Sequence, residues 1–122
     1  MPKRILLIDD DETLCKELAD ILHDEGYSAD TASESGKAMQ YIENDRHDLY
    51  LIDYKMEGIT GIEIVKKIKD LDPGRKVLII SGRPGIEKIV HDEGVSHMLS
   101  GILSKPFDVS ILLNKISDIV NK

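Results

Sequence analysis

The chain has 122 residues, of which 41% are hydrophobic and 32% charged, and its formal net charge is −7. This length suits one domain with a single core, the composition argues against a disordered chain, and the acidic charge argues against a surface for duplex nucleic acid. The single cysteine, Cys15, excludes an internal disulfide framework or a cysteine-based zinc site, and packing is its expected role. No apolar run reaches the length of a membrane span or a signal-peptide core, so we expect a cytoplasmic protein.

The first part of the chain alternates between short apolar runs and helical patterns. Residues 5–8 predict a buried strand, and apolar side chains recur at helical spacing over residues 14–22. Residues 27–32 alternate weakly in hydrophobicity, which is typical of an edge strand. A second helix follows, and Ser33 or Ser35 is its expected cap.

The middle of the chain repeats this alternation. Residues 49–52 are an apolar run too short for a helix, and they predict a buried central strand. A glycine-bearing loop at residues 57–61 precedes a third helix, which the turn at residues 72–74 ends. Residues 77–80, rich in β-branched side chains, predict the fourth strand.

The last part of the chain predicts a fourth helix that ends at Gly94, a short strand over residues 101–104 and a final helix capped by Asp108 or Ser110. The stretch of residues 95–100 fits no regular pattern. Strands and helices therefore alternate throughout, which indicates βαβ units, a parallel sheet and helices on both of its faces.

Polar side chains follow four of the predicted strands where each strand ends: Asp9 and Asp10, Asp53, Ser81 and Lys105. Because the carboxyl ends of parallel strands meet at one edge of a sheet, we expect these side chains to converge. Neighbouring carboxylates repel one another, and Mg²⁺ is the cation that best suits a few carboxylates with further oxygen ligands. A lysine and a hydroxyl are suited to phosphoryl oxygens. The set predicts phosphoryl transfer to a carboxylate.

The acids and the serine also have structural explanations, and a lysine before a proline is not a distinctive signal by itself. Asp9 and Asp10 can be acids favoured by a helix N-terminus, and Asp53 and Ser81 can be ordinary turn residues. The shared sheet edge is what favours the chemical interpretation.

Four short motifs occur in order and at nearly regular spacing: Ile5 to Glu12, Leu51 to Asp53, Ile80 to Ser81 and Ser104 to Phe107. Together they resemble the receiver domain of two-component response regulators, over nearly the whole chain. The resemblance implies an α/β, flavodoxin-like (βα)5 three-layer sandwich with a five-stranded parallel sheet in the order 2-1-3-4-5. Residues 1–122 are then expected to form a single receiver domain, with no output domain in this chain.

The resemblance also implies roles for the site residues. Asp53 would be the phosphoacceptor, and it would share a Mg²⁺ ion with Asp10, with Asp9 acting mainly through water and with the backbone carbonyl of Lys55. The phosphoryl group would be contacted by Lys105, and Ser81 would supply the switch hydroxyl.

The same resemblance implies how the protein would act. The phosphoryl donor would be a sensor histidine kinase or a histidine phosphotransfer protein, and the switched surface would bind an unknown downstream protein. The chain would not be an enzyme beyond self-catalysed phosphoryl transfer and autodephosphorylation. No contact with nucleic acid by this domain itself, or with a membrane, is expected.

Three positions depart from the family pattern. Ile102 stands where the family usually has an aromatic residue, so coupling of Ser81 to a ring on the last strand is in doubt. The excess length at residues 95–100 predicts an altered fourth helix or an added turn. Lys55, two positions after Asp53, is positioned to obstruct or orient an attacking water.

Two other functions remain open at this point. A degenerate receiver would act as an interaction module independently of phosphorylation, and Ile102 keeps that alternative in view. A haloacid-dehalogenase-type phosphatase would use Asp9 as nucleophile in the pattern Asp9-x-Asp11-x-Thr13, although no later acidic pair follows Lys105.

The remaining titratable residues predict no second site. Since the first apolar run stops at Ile8, Asp11 is expected to start the helix and to stay outside the acidic pair. The four histidines show no ligand spacing and are expected on the surface or in loops: His23, His47, His91 and His97.

Overall fold

The computed structural model describes residues 2–121 and contains five strands and five α-helices in alternation. The strands are β1 (Arg4–Ile8), β2 (Ser28–Ala32), β3 (Leu49–Asp53), β4 (Lys76–Ser81) and β5 (Gly101–Ser104). The helices are α1 (Glu12–Asp24), α2 (Ser35–Asn44), α3 (Gly61–Leu71), α4 (Ile86–Asp92) and α5 (Val109–Val120). None of the helices within this part of the chain has the length and apolar character needed to span a membrane.

All neighbouring strands are parallel, and the sheet order is β2-β1-β3-β4-β5, as expected. Alternate side chains of each strand face opposite layers, because the side-chain period of a strand is two residues. Leu6 and Ile8 belong to the core beneath α2, α3 and α4, whereas Ile5 and Leu7 belong to the core beneath α1 and α5. The fold is therefore a three-layer sandwich, and burial on both faces explains why β1, β3 and β4 contain continuous apolar runs, whereas the edge strand β2 is mostly half-buried.

Helix starts depend on side chains that accept the first free backbone N–H groups. Asp11 caps α1 by accepting from the Leu14 N–H at 3.0 Å, as expected, and Asp108 caps α5. The expected cap of α2 was wrong, because its N-cap residue is Glu34 and no side chain caps it. The Ser33 hydroxyl donates instead to Glu12 in α1 at 3.2 Å, and Ser35 is already the first helical residue.

The added turn predicted between the fourth helix and the last strand is confirmed. After the short helix α4, Gly94 adopts a left-handed backbone with φ of 72°, and a 3-10 turn follows at Ser96–Met98. Val95, between them, is 1% exposed and belongs to the core beneath α4. The extra residues therefore form a packed turn.

The four histidines divide into three exposed residues and one buried one. His47 lies in a loop before β3, as expected, but its side chain is fully buried. Its Nε2 lies 2.8 Å from Oδ2 of Asp30 in β2, and its ring makes edge contacts with Tyr41 and Tyr50. The Asp30 carboxylate compensates the burial of Nε2, whereas Nδ1 has no hydrogen-bond partner within the described residues. The local sequence gives no sign of this contact with β2.

Candidate functional site

Three carboxylates meet at the carboxyl edge of the sheet. One oxygen from each of Asp9, Asp10 and Asp53 lies within 4.8 Å of the other two. Asp53 is the last residue of β3, and Asp9 and Asp10 directly follow the neighbouring β1, so sheet order places them together. Asp9 and Asp53 are each 8% exposed, whereas Asp10 is exposed. Such a cluster of hard oxygen donors, partly open to solvent, is suited to a divalent cation.

Asp9 makes polar contacts with three other residues. Its Oδ1 accepts from the Asp11 N–H at 3.0 Å, and its Oδ2 lies 2.8 Å from the Lys105 Nζ. The Cys15 thiol donates to the Asp9 carbonyl oxygen at 3.3 Å. Burial, and then the negative charge of Asp9, raises the pKa of Cys15 to about 11. The thiol is therefore neutral, in agreement with the packing role expected for it.

Lys105 is the cation nearest the buried carboxylates. Its Nζ lies 2.8 Å from Asp9 and 3.6 Å from Asp53. Burial by itself would lower the pKa of Lys105, but the two carboxylates outweigh that effect and raise it. Its backbone N–H donates to the carbonyl oxygen of Ser81 at 2.8 Å, which fixes the end of β5 beside the end of β4. Lys105 is therefore charged and positioned between β1 and β3.

Asp53 is only partly compensated by this lysine. Burial, and then repulsion from Asp9, raises the pKa of Asp53 to about 6, although Lys105 and the Lys55 N–H act in the opposite direction. The shorter ion pair of Lys105 is with Asp9, so Asp53 receives the weaker contact. Near neutral pH three carboxylates face one ammonium group, and a further cation would be strongly attracted there.

A cavity of about 600 Å³ opens in front of Asp53. Ser81, the last residue of β4, is 2% exposed and contributes to its wall, and its Oγ accepts from the Arg83 N–H at 2.9 Å. Asp9 lies outside this wall. Residues that line the cavity include Asp53, Tyr54, Lys55, Ser81, Arg83 and Lys105.

The loop after β3 is held close to the strand end. The Lys55 N–H donates to Oδ1 of Asp53 at 3.4 Å. Gly61, the first residue of α3, donates its N–H to the Tyr54 carbonyl oxygen at 2.8 Å. A Cβ atom at Gly61 would lie 2.7 Å from the Asp53 carbonyl oxygen, so only glycine allows this approach. The loop thereby forms one wall of the cavity.

The structure brings the predicted site residues to one sheet edge: Asp9, Asp10, Asp53, Ser81 and Lys105. It also brings in Arg83, which the sequence did not single out, because an arginine in a turn has no distinctive local signal. Ile102, in β5, is half-buried and packs against the core beneath α2, α3 and α4. No ring occupies the position that is usually aromatic.

Known proteins resemble this chain in both sequence and fold. The sequence profile of the response regulator receiver domain matches residues 5–117. Sporulation initiation phosphotransferase F of Bacillus subtilis (strain 168) is 30% identical over 122 residues, which cover 100% of this chain and 94% of that protein. Two further curated relatives are longer, and this chain spans 26% of one and 52% of the other.

Two solved structures share the fold. A CheY-like response regulator receiver domain protein from Methanospirillum hungatei JF-1 superimposes with a TM-score of 0.90 at 30% identity, covering 99% of this chain and 95% of that chain. The response regulator protein TrrA from Thermotoga maritima, in complex with Mg²⁺ and BeF, has a TM-score of 0.83 at 26% identity, covering 96% and 98%. The chain belongs to the response regulator receiver domain family.

Proposed function

We propose that this domain accepts a phosphoryl group on Asp53 from a sensor histidine kinase or a histidine phosphotransfer protein, in a Mg²⁺-dependent reaction in the cytoplasm. The observation that carries the proposal is the buried carboxylate of Asp53, which lies beside Asp9 and Asp10 and 3.6 Å from the Lys105 Nζ. Carboxylate, ammonium and hydroxyl groups around one cavity are the groups that phosphoryl transfer to a carboxylate needs.

The donor set fits Mg²⁺. Three carboxylate oxygens within 4.8 Å of one another, with one member exposed, supply hard ligands and leave space for water. We assign Asp10 and Asp53 as direct ligands, Asp9 as a ligand mainly through water, and the Lys55 carbonyl as the backbone ligand. When bound, Mg²⁺ would supply positive charge to the phosphoryl oxygens during transfer.

In the reaction, a carboxylate oxygen of Asp53 attacks the phosphorus atom of the donor. The bond from phosphorus to the histidine nitrogen breaks, and its electron pair stays on that nitrogen. Lys105 neutralises a phosphoryl oxygen, and its approach from β5 is already fixed by its contact with Asp9. The Ser81 hydroxyl donates to a second oxygen and holds the product.

Phosphorylation would then switch a surface for a downstream protein. The added charge of about −2 is a local electrostatic change at the loops after β3 and β4. The reaction is self-catalysed transfer followed by autodephosphorylation, with no turnover of a separate substrate. The downstream partner is a protein rather than nucleic acid, in keeping with the net charge of −7.

Intact-mass measurement after incubation with Mg²⁺ and acetyl phosphate tests this proposal. We expect one added phosphoryl group in the wild type, none after chelation of Mg²⁺ and none in Asp53→Asn. Asp20→Asn, at an exposed position of α1, is the matched control and should be phosphorylated like the wild type.

Two results would contradict the proposal in different ways. Absence of the adduct in the wild type would favour an interaction module that works without phosphorylation. Steady release of phosphate that persists in Asp53→Asn would indicate a phosphatase with Asp9 as its nucleophile.

A further inference from the structure

Arg83, in the loop between β4 and α4, has no role in the function proposed so far. Its backbone N–H donates to the Ser81 Oγ at 2.9 Å, and Arg83 is one of the residues that line the cavity in front of Asp53. Its guanidinium carbon lies 5.8 Å from the centroid of the Tyr54 ring. Arg83 thus contacts the Ser81 hydroxyl, the cavity and Tyr54, the residue that follows Asp53.

The backbone of Tyr54 is held by two hydrogen bonds, whereas its side chain is only partly enclosed. Its N–H donates to the Ile80 carbonyl oxygen at 3.0 Å, and its own carbonyl accepts from Gly61 at 2.8 Å. The ring is half-buried and packs against the core beneath α2, α3 and α4. Tyr54 is also the one aromatic residue in the wall of the cavity, within the part of the chain described. A movement of the Tyr54 ring would therefore change both the wall of the cavity and the packing in the core beneath α2, α3 and α4.

The contact between Arg83 and Tyr54 is one that an anion can break. Arg83 is exposed, and a cation–π contact at an exposed site is weak. A guanidinium group binds a phosphoryl group through two parallel charge-assisted hydrogen bonds, which are stronger. A phosphoryl group on Asp53 would add about two negative charges to the cavity that Arg83 already lines.

We propose that Arg83 leaves the Tyr54 ring and binds the phosphoryl group when Asp53 is phosphorylated, so that Tyr54 reports the phosphorylation state. This inference rests on the proposed phosphorylation of Asp53. It gives the chain an aromatic readout on the loop after β3, where Ile102 leaves none on β5. Gly82, between Ser81 and Arg83, is exposed and has no side chain to restrain the loop as Arg83 moves.

Fluorine NMR of protein labelled with 3-fluorotyrosine tests the inference in the full chain. The four tyrosines give four signals, and Tyr54→Phe identifies that of Tyr54. Beryllofluoride with Mg²⁺ serves as a stable mimic of the phosphoryl group, and its bound form is visible in the same spectrum. We expect it to move the Tyr54 signal towards the position that the signal has in the unliganded Arg83→Ala variant.

Substitutions of Arg83 and of Lys37 distinguish this mechanism from a general change in structure. Arg83→Ala should remove at least half of the beryllofluoride-induced shift of Tyr54, and Arg83→Lys should restore part of it. Lys37→Ala is the matched control, because Lys37 Nζ lies 5.8 Å from the Tyr41 ring centroid on α2. It should move the Tyr41 signal and leave the Tyr54 response unchanged.

The outcomes distinguish this inference from the function on which it rests. If bound beryllofluoride is detected while Tyr54 does not move, or moves equally in Arg83→Ala, the role of Arg83 is refuted and the phosphoacceptor function stands. If beryllofluoride does not bind and acetyl phosphate gives no adduct on Asp53, both are refuted.

Discussion

The burial of Asp53 predicts that Asp53→Asn stabilises the metal-free protein near neutral pH. The raised pKa of Asp53, about 6 against an ordinary value of 3.8, means that folding opposes ionisation of this carboxyl group. About two pKa units correspond to roughly 3 kcal/mol at most, at about 1.4 kcal/mol per unit. Asparagine removes the charge but leaves a buried amide beside Lys105, so we expect a net gain of about 1 to 2 kcal/mol.

The pH dependence of this gain follows from proton linkage. Between pH 3.8 and about 6 the folded protein binds the Asp53 proton more tightly than the unfolded chain does, so stability falls as pH rises through this range. The destabilising effect of the charge is complete above about pH 6 and absent below about pH 4. The advantage of Asp53→Asn should therefore be full at pH 7 and should disappear towards pH 4.

Urea unfolding in the presence of a chelator, at several pH values, measures this difference. The midpoint should rise with an unchanged m-value, and the Tm at pH 7 should rise by about 4 to 8 °C. Asp20→Asn reports the effect of removing an exposed carboxylate, and we expect less than about 0.5 kcal/mol for it. The reasoning is refuted if Asp53→Asn is no more stable than the wild type at pH 7, or if its advantage is the same at pH 4.

Three further predictions concern the loops around the site and the opposite end of the sheet. Gly61→Ala should lower the free energy of unfolding by about 2 to 4 kcal/mol, since its Cβ would lie 2.7 Å from the Asp53 carbonyl oxygen. Gly36→Ala, in α2 with no atom within 4 Å of the new Cβ, should stabilise the protein by up to about 1 kcal/mol in the same urea experiment; equal effects at the two glycines would contradict the steric argument. Lys55→Ala should change the half-life of the aspartyl phosphate, measured by phosphate release from the isolated phosphoprotein, and an unchanged half-life would exclude a role for its side chain. Hydrogen bonds from the Gly74 N–H and then from Arg46 lower the pKa of Asp72, so the stability that it contributes should be present above its unfolded pKa and be lost as pH falls through its folded pKa. Comparison of thermal unfolding of Asp72→Asn and the wild type should show a gap at pH 7 that closes in acid, and a gap independent of pH would show that the charge of Asp72 is irrelevant.

Sequence reasoning succeeded where the signal was local. The strand at residues 49–52 was predicted from its apolar run, and Asp53 was placed at its end because the run stops there. Asp108 was one of two expected caps of α5, since an acid just before a helical pattern is a local feature. An altered fourth helix or an added turn was predicted because residues 95–100 are in excess of the family pattern, and the structure has a 3-10 turn there.

Sequence reasoning failed where the partner of a side chain comes from a distant segment of the chain. Ser33 precedes α2 and satisfies the pattern of a cap, but its hydroxyl reaches Glu12, which is 21 residues away. His47 looks like a polar loop residue, but it is fully buried and its Nε2 is paired with Asp30 on β2. A residue type and its neighbours in sequence carry no information about either partner.

The sequence by itself determined the alternation of strands and helices, the order of the strand ends and the identity of the residues that follow them. These are properties of periodicity and of chain order, so they can be seen in the sequence. Only the tertiary structure decided that Lys105 is closer to Asp9 than to Asp53, that the pKa of Asp53 is raised and that Arg83 covers Tyr54. The reason is that distance, burial and charge at one point depend on every segment packed around it, and here those segments come from four different strand ends.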